Sequence, residues 1–68
     1  MHQDEKLVAM VNQIGHFFAH QGPERAPESI ADHIRKFWDP RMRAAIRAHL
    51  AKGGAGLDAF AIKAVELL

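Results

Sequence analysis

The chain has 68 residues, a formal net charge of +1, 49% hydrophobic residues and no cysteine. That length makes one small domain, which buries only about 60% of the surface its unfolded chain would expose. The composition excludes a disulfide scaffold and any thiolate zinc or iron–sulfur site held by this chain, and no apolar run approaches the roughly 20 residues of a membrane span.

The opening residues Met1 to Lys6 are polar and partly acidic, unlike a signal peptide, and the expectation is a cytoplasmic protein. Asp4 is placed to cap a first helix. Leu7, Met10, Val11, Ile14, Phe17 and Phe18 then recur at helical spacing as one apolar stripe. Gly15 lies at the edge of that stripe, where a missing side chain admits a neighbouring backbone. His16 and His20 are four apart on the polar face, a spacing that can hold a metal. A third ligand would have to come from His2, His33, His49 or a distant carboxylate, and solvent-exposed histidines are the simpler reading.

Gln21 to Pro27 reads as a turn, with a second helix beginning near Pro27 and Glu28 facing its N-terminal dipole. Ile30, Ile34 and Phe37 follow as its stripe, flanked by Ala31 and Trp38, with His33 beside it as a half-buried histidine. Ser29, the one serine, has an ordinary capping or solvent role.

Trp38-Asp39-Pro40 marks an elbow. Pro40 lacks an N–H and disfavours helical backbone at Asp39. The same pair starts a helix well, with Asp39 as N-cap and Pro40 at the first helical position. Two helices should therefore meet with almost no loop between them. The third helix runs from Pro40 to about Lys52, with Met42, Ala45, Ile46, His49 and Leu50 as its apolar face. Arg43 and Arg47 are a like-charge pair four apart, costing a few tenths of a kcal/mol.

Gly53-Gly54 ends this helix, and Gly53 to Gly56 reads as a stop and hinge. Asp58 caps a last helix, with Leu57 and Ile62 spaced as a hydrophobic staple. In that helix only Asp58, Lys63 and Glu66 are polar. A helix apolar over most of its circumference is normally buried, and three short helices cannot easily cover it. Part of it should meet another chain. The fold class is all-α: a small, compact bundle of about four short helices in a single domain over residues 1–68.

Charge is uneven along the chain. Residues 1–34 carry a net −3, whereas residues 35–52 carry Arg35, Lys36, Arg41, Arg43, Arg47 and Lys52 against Asp39 alone. Such a block faces nucleic acid, an acidic protein surface, or water. Threonine, tyrosine and cysteine are missing, no glycine-rich loop has phosphate-binding form, and no carboxylate pair stands in an apolar setting. An enzyme is not indicated.

Read together, Ile30-Ala31-Asp32-His33-Ile34-Arg35-Lys36-Phe37-Trp38-Asp39-Pro40-Arg41-Met42-Arg43 resembles the small delta subunit of NAD-dependent, molybdenum-containing formate dehydrogenases. Those subunits also open like Lys6-Leu7-Val8 to Met10-Val11-Asn12-Gln13-Ile14 with Phe17-Phe18. They close like Gly53-Gly54-Ala55-Gly56-Leu57, so the resemblance covers about residues 6–68. It implies a complex that oxidises formate at a molybdenum (bis-pyranopterin guanine dinucleotide) site and passes electrons through iron–sulfur clusters and FMN to NAD⁺. Those cofactors belong to larger subunits. The delta subunit itself is implied to bind none, and to assist assembly, stability or molybdenum-cofactor insertion.

The expectation is an accessory subunit docking on a larger one, the molybdenum-containing catalytic subunit foremost. Its expected contacts are Phe37, Trp38, Arg41, Met42 and Arg43 around an exposed elbow, with Phe60 and Leu67 as a second patch. Trp38 serves equally well as the keystone of the core. Two other readings stand beside this one. A helical nucleic-acid-binding module is opposed by the low net charge and by Ala44, Ala48 and Ala51 where base-reading side chains would be. A self-associating bundle would use the last helix.

Overall fold

The computed structural model describes residues 2–68, with side chains from Asp4 onward. Helix α1 (His2–Phe18) passes through a 3₁₀ turn (Ala19–Gln21) into α2 (Gly22–Phe37). Helix α3 (Pro40–Ala51) and a short α4 (Ala59–Glu66) follow. The radius of gyration of 10.6 Å is close to the roughly 11 Å expected of a closed fold this long.

The first two boundaries differ from the sequence reading. Asp4 lies in the first turn of α1 rather than before it; its carboxylate still faces the positive end of the dipole. The turn before α2 is much tighter than Gln21 to Pro27. Gly22, at φ +90°, redirects the chain in one residue, and Pro23 sits where no N–H is needed. Pro27 is inside α2 and buried. It forfeits only the ladder bond to the Pro23 carbonyl.

The elbow has the expected form. Only Trp38 and Asp39 are extended, and Asp39 Oδ1 accepts the Met42 N–H at 2.8 Å. The far end of α3 closes as a Schellman motif: the Gly54 N–H donates to the His49 carbonyl and the Gly53 N–H to that of Leu50.

Gly53 to Gly56 and the Asp58 that follows are tied down by side chains of α1 and α3. Asn12 Nδ2 donates to the Gly56 carbonyl at 2.8 Å, and the Asp58 N–H donates to Asn12 Oδ1 at 2.9 Å. His49, expected on an apolar face, uses its ring Nε2 on the Ala55 carbonyl at 2.8 Å. One asparagine on α1 and one histidine on α3 thus fasten the loop that delivers α4. Asp58 precedes α4 in extended backbone but makes no side-chain cap. Its carboxylate meets His16 at 3.1 Å instead.

The core is built from Leu7 and Val11 of α1, Ile30, Ala31 and Ile34 of α2, Trp38, Ile46 of α3, Leu57, and Ala61, Ala64 and Val65 of α4. Ile30, Ile34, Ile46 and Val11 are its largest fully enclosed side chains. Gly15 is buried against the Ile30 side chain rather than a backbone; a Cβ there would lie 3.6 Å from Ile30 Cδ1, an ordinary contact.

A candidate docking surface

The apolar stripe of α1 is wider than the face its neighbours cover. At about 100° per residue, Leu7, Val11, Ile14 and Phe18 form one line, with Met10 and Phe17 some 70–90° to one side. The first line packs on the core. The second is left in solvent, with Phe17 at 73% exposure. On α2 the same division occurs along the helix. Ile30 and Ile34 are enclosed, but Phe37, expected to extend their stripe, is 72% exposed.

These leftovers lie side by side. Met10, Gln13, Ile14, Phe17 and Phe18 of α1 line one groove of about 540 Å³ with His33, Phe37, Trp38 and Met42. Rings run across it: Phe17 to Phe18 with centroids 5.1 Å apart, Phe18 to His33 at 6.2 Å, and His33 to Phe37 at 4.7 Å. The wall is largely apolar and aromatic, with one methionine from α1 (Met10) and one from α3 (Met42). Methionine adapts to irregular partners, and aromatic rings give large contact area for little entropy lost.

The expected contact residues divide by location. Phe37 and Met42 are in the groove wall. Trp38 also borders it, but is only 6% exposed and belongs to the core cluster. It is the keystone of the elbow, not an exposed anchor. Arg41 is exposed. Arg43 faces elsewhere, into a basin shared with Arg35 and Arg47. Phe60 is half-buried against the core, and Leu67 is exposed at the end of α4. The groove's α1 wall, Met10 and Phe17 above all, was not among the expected contacts. The signal for it was the width of the stripe and the adjacent pair Phe17-Phe18, which cannot both point at one core line.

His16 pairs with Asp58, and His20 is exposed. The side chain of His2 lies outside the described residues. Among the described residues no three His, Cys, Asp or Glu side chains are grouped to hold a metal. No helix of these residues is long and apolar enough to cross a membrane.

A family model described as NADH-dependent formate dehydrogenase delta subunit FdsD matches residues 6–65. The chain belongs to this family. The match spans α1 from Lys6 through nearly all of α4, so it includes both walls of the groove and the Trp38 elbow. Neither the curated proteins nor the solved structures contain a match to the chain.

Proposed function

We propose that this chain is a non-catalytic accessory subunit that docks on a larger subunit of a formate dehydrogenase, the molybdenum-containing catalytic subunit foremost, through the groove between α1 and the elbow. Docking serves assembly, stability or insertion of the molybdenum cofactor. The molybdenum cofactor, iron–sulfur clusters, FMN and NAD belong to the larger subunits, and the complex works in the cytoplasm. Family membership supports the choice of complex.

One observation carries the choice of surface: two phenylalanines, Phe17 and Phe37, are each nearly three-quarters exposed and line one aromatic groove. A small domain gains nothing by leaving such rings wet. Interface energy concentrates in aromatic anchors near the centre of a patch. A standard interface takes about 800 Å² from each partner, roughly a sixth of the 4573 Å² this chain exposes.

The test is affinity capture of the tagged chain from its own cytosol, with mass spectrometry and metal analysis. Recovery of a molybdenum- and iron-containing oxidoreductase at fixed stoichiometry, lost with Phe17→Ala and Phe37→Ala together, is the expected result. Recovery of the chain alone, as monomer or self-oligomer, would overturn the reading.

A further inference from the structure

The basic block of the sequence folds into a feature separate from the groove. Arg35 of α2 and Arg43 and Arg47 of α3 line a basin of about 400 Å³, completed by Pro40, Ala44 and Leu68. No acidic side chain lines it. None of the described ion pairs uses these arginines, since Asp32 is engaged by Lys36 at 3.0 Å and Asp58 and Asp4 by histidines. The nearby Asp39 directs Oδ1 to the Met42 N–H.

One of the three guanidiniums is held in place before anything binds. Arg35 Nη2 donates to the Leu67 carbonyl at 2.6 Å. Arg43 Nε is enclosed and has no hydrogen-bond partner. Fixing a fork beforehand lowers the entropy lost when it binds. Arginine forks match carboxylates in bidentate geometry. Arg43 and Arg47 repel one another at i, i+4, and a negative occupant turns that repulsion into attraction. The rest of the lining is aliphatic, with no ring on which a nucleobase could stack.

We infer that the Arg35–Arg43–Arg47 basin is a carboxylate-recognition site that takes an acidic segment, Asp or Glu side chains on an aliphatic background, of the larger subunit. The inference rests on the docking reading above and adds a second, charge-selective contact to it.

The test is binding of the whole chain to the purified larger subunits at about 0.05 M and about 1 M salt, where the Debye length falls to about 3 Å. At low salt, Arg43→Gln with Arg47→Gln is expected to weaken binding by about tenfold or more, in line with the loss of charge-assisted hydrogen bonds. The gap should close at high salt. Arg47→Lys should recover part of the loss. Arg47 is exposed, so Arg47→Gln alone serves as the variant that leaves the fold intact, checked by thermal unfolding. Unchanged low-salt affinity in the double variant would overturn the inference while leaving the docking reading in place. So would saturable binding of inorganic pyrophosphate that the same variants abolish without touching subunit affinity, or self-association that they abolish. Failure of the unaltered chain to bind the larger subunits would overturn the docking reading, and this inference with it.

Discussion

Helix α4 and the outer line of α1 look alike in sequence and end differently in the fold. Both carry more apolar surface than one neighbour should cover. In α4 most of the surplus is absorbed: Ala61, Ala64 and Val65 are buried, Phe60, Ile62 and Leu68 are partly covered by the same core, and Leu67, just past the last turn, stays exposed. Small residues at 61 and 64 let α4 sit close on α2, and at 8 residues it is short enough for one cluster to cover it. In α1 the surplus stays outside. The Leu7–Val11–Ile14–Phe18 line packs on the core, and Met10 and Phe17 lie outside it, 37% and 73% exposed. The apolar content of a helix does not by itself locate an interface. What matters is the width of its stripe relative to the face its neighbours can cover.

The difference can be broken most sharply at adjacent residues. Trp38→Ala removes a buried keystone and should cost about 3–5 kcal/mol of stability, enough to leave the free chain largely unfolded in a urea titration. Phe37→Ala, one residue earlier, should change stability by no more than about 0.5 kcal/mol. It should nevertheless weaken binding to the larger subunits by about 2 kcal/mol, as an exposed aromatic anchor would. Equal losses of stability in the two variants would erase the distinction between covered and uncovered surface.

Asn12→Ala tests what holds α4 in its covered position. It deletes both hydrogen bonds to the loop before α4, which at about 0.5–1.5 kcal/mol each gives a loss of about 2 kcal/mol. Hydrogen exchange should then rise at residues 53–58 first. The smallest effect is expected at Gly15, on the side of the α1 core line away from Met10 and Phe17. A Cβ there meets only Ile30 Cδ1, at 3.6 Å. Gly15→Ala should therefore raise stability by about 0.5–1 kcal/mol, the ordinary penalty of glycine inside a helix, with subunit affinity unchanged.

Local chemistry made much of the fold legible. Asp39-Pro40 dictated the elbow and its cap, and Gly53-Gly54 the end of α3. The start of α2 was misplaced because proline and glycine were read as marking a whole segment. Gly22 alone turns the chain, and the helix tolerates Pro27. Pairings distant in sequence could not be read at all: Asn12 with Gly56 and Asp58, His16 with Asp58, and Arg35 with the Leu67 carbonyl. The same limit applied to the surface. Phe37 and Met42 were legible as candidates from the elbow, but Phe17 joins them only because α1 and α2 bring residues twenty apart to one groove. Trp38 could not be assigned to core or surface until the elbow's direction was known, and it points inward.

Site-directed photo-crosslinking in the assembled complex tests the central claim most directly. A photoreactive residue would replace Phe37 in one sample and Lys63, on the outward side of α4, in another. The groove reading expects Phe37 to yield a covalent adduct with the molybdenum-containing subunit and Lys63 to yield none. An adduct from Lys63 with none from Phe37 would contradict it and return the interface to α4.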